Sequence, residues 1–153
     1  MRRACSWILA TAFLLASTTI PSVALAGSTK VEWKKVEAPS GVDHDRVVQM
    51  LKPILRSTAK KADFGKAKKL VLTARILEFR SVTRGDVHRV SCTLVGRIVG
   101  GPTARSHISF GGHLNERAAL EKQVLTMVAT GVVTRLSEIV RNRAAAEAKA
   151  KDD

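Results

Sequence analysis

Apolar and polar residues change their periodicity several times along the chain, and the changes divide it into elements. Near the amino end, Thr29-Lys30-Val31-Glu32-Trp33-Lys34-Lys35-Val36 alternates imperfectly, with Val31 and Trp33 on one parity. This predicts a short edge strand whose lysines suit exposure. Pro39-Ser40-Gly41 breaks the run, and Asp43 stands where a helix cap is wanted, ahead of Val47, Leu51, Ile54, Leu55 and Thr58 at helical spacing. Pro53 falls inside that pattern. There it removes a backbone donor and crowds the preceding turn, so the helix is expected to kink or to begin afresh. Lys60 to Lys69 reads as a basic connection with Gly65 as its turn residue.

Three alternating runs follow, Leu70 to Arg80, Val87 to Val99 and Ala104 to Phe110. Arg84-Gly85-Asp86 and Gly100-Gly101-Pro102 separate them, the pattern of an antiparallel meander. In the middle run Val90, Cys92, Leu94 and Ile98 share one parity, and Arg89, Ser91, Thr93 and Arg97 the other. In the third, Ala104, Ser106, Ile108 and Phe110 oppose Arg105, His107 and Ser109. One face is therefore core and the other wet. With residues 100 to 102 as the loop, Leu94 is expected opposite Ile108, Cys92 opposite Phe110 and Arg97 opposite Arg105. The first run loses phase, since Leu70, Leu72, Ala74 and Ile76 are even but Leu77 and Phe79 odd. A bulge near Ile76 and Leu77 restores one apolar face.

After Gly111-Gly112, read as a tight strand-to-helix corner, Asn115 can cap a helix from Glu116 to about Arg143. Its stripe of Leu120, Val124, Met127, Val128, Val132, Leu136, Ile139 and Val140 is too broad for a lone surface helix and must pack on the sheet. Residues 144–153 are rich in Ala and Lys with no large apolar anchor, and are expected to fray or stay disordered. Residues 27–143 thus form a single α+β domain, an antiparallel three- to four-stranded sheet (a meander) with two helices packed on one face. Cys92, Leu94, Ile108, Phe110, Val124, Val128 and Leu136 are its expected core.

Residues 1–26 obey a different rule. Arg2 and Arg3 precede an apolar run from Trp7 to Ala16, and Ala24-Leu25-Ala26 is a small-x-small site before Gly27. This is the pattern of a secretory signal peptide cleaved between Ala26 and Gly27. The run is about half the ~20 residues that span a bilayer, so a transmembrane anchor is not expected after processing. Cys5 lies within the positively charged region, away from the position of a lipidated cysteine. Cys92 is then the only thiol of the exported chain, which leaves an intermolecular disulfide as the one form available to it.

Charge adds a bias in partner. The 153 residues include 26 Lys or Arg and 13 Asp or Glu, a net of +13. Removing residues 1–26 takes away two arginines and no acid, leaving 24 against 13 and a net of +11. Arg75, Arg89, Arg97, Arg105 and His107 share the wet parity, so that face is the candidate site for an anionic partner, lipid phosphate or lipopolysaccharide. No aromatic residue lies among them to stack bases, which argues against nucleic acid.

Catalytic chemistry is sparse. His88 and Cys92 lie about 13 Å apart along a strand at ~3.3 Å per residue, too far to chelate one ion. His107 and His113 flank Gly111-Gly112 and could approach each other, which makes them the basis of an alternative reading as a small periplasmic hydrolase or other enzyme. The acids are scattered singly, no phosphate loop or nucleophile elbow is present, and neither a metal nor a cofactor is expected.

The order strand, helix, three-stranded meander, helix over about residues 29 to 143 resembles small accessory domains of bacterial envelope assembly. The amino-terminal domain of TolB and the lipopolysaccharide-assembly protein LptE are two such domains. More broadly the chain looks like a secreted periplasmic bacterial family. The resemblance is one of element order, and implies a non-enzymatic binding or accessory domain of the cell envelope, periplasmic or secreted.

Overall fold

The computed structural model describes residues 29–41 and 43–152, so the expected signal peptide and its cleavage site at Ala26 and Gly27 lie outside the described residues. The elements are β1 (Lys30–Glu37), α1 (His44–Lys61), β2 (Lys69–Arg84), β3 (Val87–Ile98), β4 (Thr103–His113), a 3-10 turn (Leu114–Glu116) and α2 (Arg117–Asp152). The four strands form one sheet in the order β1-β2-β3-β4, and the fold is α+β.

β2, β3 and β4 are the antiparallel meander that the turns predict. β1 joins it parallel to β2, which makes the sheet mixed. The reason is the connection: α1 carries the chain back along the sheet before β2 begins, as a parallel pair requires. α1 runs unbroken through Pro53, which is exposed and leaves its missing hydrogen bond on the solvent side. Asp43 occupies the cap position, but its carboxylate binds Arg46 Nε at 3.1 Å instead of a backbone amide.

Two bulges set which residues face inward. In β2 the pairing steps from Ile76 opposite Leu94 to Glu78 opposite Thr93, so Leu77 is the extra residue. Phe79 then falls opposite Cys92, as the loss of phase predicts, while Leu77 itself is left 46% exposed. In β1 the step skips Lys34, which places Val36 in phase with Val31 and Trp33.

The register of β3 and β4 differs from expectation by two residues. Cys92 lies opposite Ile108, Leu94 opposite Ser106, Val90 opposite Phe110 and Arg97 opposite Thr103. The cause is the position of the turn. Val99 turns away to donate its N–H to Val71 O at 2.9 Å, and Ile98 N–H bonds to Pro102 O at 3.0 Å, so the pair that closes the loop lies one residue earlier on each strand and Thr103 faces Arg97 instead of Val99. The shift of two preserves parity but removes the expected Arg97 to Arg105 pairing.

Both helices pack on the same face. Leu51 and Leu55 of α1, Val124, Val128, Val132 and Leu136 of α2, and Leu72, Ile76, Val90, Cys92 and Leu94 of the sheet belong to one buried cluster. Ile108 is partly buried against it. Phe110 is 44% exposed despite its parity, toward the opposite end of β4 from the buried Ala104 and Ser106. α2 begins at Arg117, after the 3-10 turn and without a side-chain cap from Asn115, and continues to Asp152. Residues 144–152 thus form the last turns of α2, with residues 144–151 exposed throughout.

Candidate functional site

The face of the sheet away from the helices is open, and pairing arranges its side chains in rows. Lys35, Thr73, Arg97 and Thr103 form one row. Glu37, Arg75, Val95 and Arg105 form the next, followed by Glu78, Thr93 and His107. Further along come Arg80, Ser91 and Ser109, then Val82, Arg89 and Gly111, then Arg84, Val87 and His113. All five residues expected from the sequence, Arg75, Arg89, Arg97, Arg105 and His107, lie on this face. Arg80 and Arg84 join them because the Leu77 bulge turns the even positions of β2 outward. That consequence was legible from the phase change and is missed when each run is read separately.

The cations are unequally compensated. Arg80 Nε holds Glu78 at 2.7 Å, Lys69 holds Glu32 at 3.2 Å, and Lys35 pairs with Glu37. Glu37 is held below the usual carboxylate range, first by its hydrogen bond from Lys35 and also by the charges of Lys35 and Arg75. Among the described residues, Arg75, Arg84, Arg89, Arg97 and Arg105 have no carboxylate within 4.0 Å.

The alternative histidine site does not assemble. Gly111 and Gly112 are ladder residues of β4, opposite Arg89 and His88, and the turn into α2 comes later, at Leu114–Glu116. His107 and His113 therefore lie on one continuous strand, six residues and about 20 Å apart. His107 Nδ1 is hydrogen-bonded to Thr93 Oγ1 at 2.8 Å. Among the described residues no three His, Cys, Asp or Glu side chains gather as a metal-binding group.

The helix-covered face holds a polar cluster that sequence reading missed. Ser81 Oγ donates to Glu121 Oε1 at 2.7 Å and lies 2.9 Å from His88 Nε2, while His88 Nδ1 lies 2.8 Å from Thr83 Oγ1. Arg46 bonds the other oxygen of Glu121, and Arg117 Nε reaches Oε1 at 3.3 Å. His88 and Glu121 are each only 1% exposed. With the Ser81 proton directed to Glu121, Nε2 of His88 is left as the donor to Ser81 Oγ, while Nδ1 meets the Thr83 hydroxyl. Burial pushes the Glu121 carboxyl up, but hydrogen bonds from Arg46, Ser81 and Arg117 outweigh it and hold the group below its usual range. Its carboxylate in turn raises the Arg46 guanidinium.

This cluster resembles a nucleophilic relay only in its residue types. In such a relay the acid binds the far nitrogen of the imidazole. Here that nitrogen meets Thr83, and acid and imidazole both hold the same hydroxyl. The arrangement ties α1, β2, β3 and α2 together. Cys92 is likewise structural: burial, with a smaller contribution from the Glu78 charge, pushes its thiol up to about 12.

No family model and no curated protein matches the chain. Solved structures do. Protein XCC0632 from Xanthomonas campestris, of the family DUF330, is 14% identical, with 78% of this chain and 90% of that one covered and a TM-score of 0.52. A single-residue variant of the PelC dodecamer from Paraburkholderia phytofirmans is 16% identical over 72% and 89% of the two chains, with a TM-score of 0.45. A lipoprotein structure from Caulobacter crescentus is 12% identical over 76% and 91%, with a TM-score of 0.41. At such identities the likeness to the Xanthomonas protein is one of fold.

Proposed function

We propose that the protein is a non-enzymatic accessory or binding domain of the bacterial envelope, exported to the periplasm or beyond, that holds an anionic envelope component on the open face of its sheet. The single observation that carries this reading is the set of guanidiniums on that face, five of them with no carboxylate within 4.0 Å among the described residues. Guanidiniums match phosphate oxygens in bidentate geometry, so lipid phosphates and lipopolysaccharide are the favoured partners. The signal-peptide pattern of residues 1–26 supports the location, with the exported chain beginning at Gly27.

The test compares wild type with Arg97→Glu/Arg105→Glu for binding to phosphatidylglycerol vesicles and to lipopolysaccharide. Both residues are free of acidic partners among the described residues, and both lie on the face away from the helices. Binding by wild type at 0.1 M salt, lost in the variant and weakened at 1 M where the screening length falls to about 3 Å, is the expected result. Equal binding by the two proteins at low salt overturns the proposal.

A further inference from the structure

The open face is not uniform, and the end at the β2–β3 turn differs in kind from the rest. There Val82 lies opposite Arg89, and Arg84 opposite Val87, so two valines and two arginines alternate in a checkerboard. Val82 and Val87 are 49% and 54% exposed. Together with Arg80 and Ser91 these residues line a concavity of about 550 Å³. β1 pairs with β2 only as far as Arg75, so this end of the hairpin runs on past the first strand. Glu78 compensates Arg80, and Asp86 sits in the turn without an ion pair among the described residues, which leaves Arg84 and Arg89 as free cations beside bare apolar side chains.

We infer that this hairpin end is a peripheral docking tip for an anionic lipid surface, with Val82 and Val87 seated at the boundary of headgroups and acyl chains and Arg84 and Arg89 holding lipid phosphates. The inference rests on the reading of the open face as anion-binding, and goes further by naming the segment and the occupant. The argument is charge complementarity combined with apolarity. A soluble acidic polymer satisfies the arginines but gives the valines nothing to enter, whereas a bilayer surface satisfies both at once. Stable attachment to a membrane takes two such weak signals together, and the checkerboard supplies both within one turn of hairpin. The rest of the face, where Arg97 and Arg105 are set among Thr73, Thr103 and Val95, offers charge with less exposed apolar surface.

The decisive variant is Val82→Thr/Val87→Thr, which keeps every charge, the branched shape and the strand preference of both positions. It is measured beside wild type and Arg97→Glu/Arg105→Glu, all with the same amino terminus. The readouts are co-sedimentation with phosphatidylglycerol vesicles and binding to dextran sulfate. Vesicle binding about tenfold weaker than wild type, with dextran sulfate binding unchanged, is expected. Val87→Trp is the second probe: tighter vesicle binding with blue-shifted tryptophan emission is expected of a tip that enters the interface. Unchanged vesicle binding by the threonine variant, or equal loss of vesicles and dextran sulfate, overturns the tip. If Arg97→Glu/Arg105→Glu alone loses binding, the tip fails while the reading of the wider face stands. If wild type binds neither probe at 0.1 M salt, both fail.

Discussion

Gly96 of β3 and Val132 of α2 meet with no room between them: a methyl group on Gly96 would lie 2.4 Å from Val132 Cγ1 and 3.2 Å from Leu136 Cδ1. The same closeness recurs one strand over, where a methyl on Gly131 would lie 2.7 Å from Ser106 Oγ. Two glycines, one on each partner, thus let the long helix settle onto the sheet. Gly96→Ala is expected to cost roughly 1 to 3 kcal/mol, since overpacked cores shift backbone or rotamers. Val132→Ala should recover part of that loss in the double variant although it is destabilising alone. Thermal melts of the three variants check this, and an unchanged melting temperature for Gly96→Ala would refute the close contact.

Glu121 makes stability depend on acid. Its carboxyl is held below the usual range in the folded protein, so the unfolded chain takes up the proton first as pH falls. The contribution is complete above the unfolded value of about 4.3 and is lost as pH drops through the lower folded value. Glu121→Gln is expected to be less stable at pH 7 by about 2 kcal/mol, the scale of hydrogen bonds to charged groups. It should also show a flatter fall in stability below pH 4. Urea unfolding across that range decides between the two profiles.

Ser81→Ala removes the hydroxyl that both His88 and Glu121 share. A buried ring nitrogen and a carboxylate oxygen each lose a partner, so the loss should be about 1 to 3 kcal/mol. Thr83→Val should cost less, because it strands only one nitrogen of His88. Equal effects of the two changes would contradict the central place given to Ser81.

Cys92 should be inert while the protein is folded. In a Cys5→Ala background, maleimide at pH 8 is expected to label it only at the rate of opening, because the thiol is buried and raised to about 12. Cys92→Ser should cost roughly 1 to 3 kcal/mol by burying a hydroxyl without a partner. Rapid labelling of the native protein would show the strand parity to be misassigned.

The parts of this structure that depend on neighbours in sequence were readable from it. Ile76, Leu77 and Phe79 announce their bulge by an interrupted alternation, and Val124, Val128 and Leu136 announce the covering helix by spacing. Register was harder, because it turned on Val99 leaving the ladder to reach Val71, a contact between strands that no local pattern displays. The Glu121 cluster was harder still, since Arg46 and Glu121 are 75 residues apart. Two faint signals did exist: His88 shares the buried parity of Val90 and Cys92, and Glu121 falls on the stripe of Leu120, Val124, Leu125 and Val128. A charged residue on an apolar stripe needs a partner, and sequence alone does not say where it is.

The extra residue at Leu77 means that β2 carries two opposite inside-outside codes, joined at one point. Each half tolerates substitution by its own rule, and the one unpaired residue at the joint keeps the two in phase with the same buried face. Pairing Leu77 into the ladder like its neighbours would turn everything after it over, carrying Arg80, Val82 and Arg84 beneath the helices and expelling Phe79, Ser81 and Thr83, whereas deleting it would leave Ile76, Phe79 and Ser81 in simple alternation on the covered face. The buried cluster and the open-face end of the hairpin would be lost together in that one slip of register, although neither contains Leu77. Their fates are coupled through the counting of residues, not through contact.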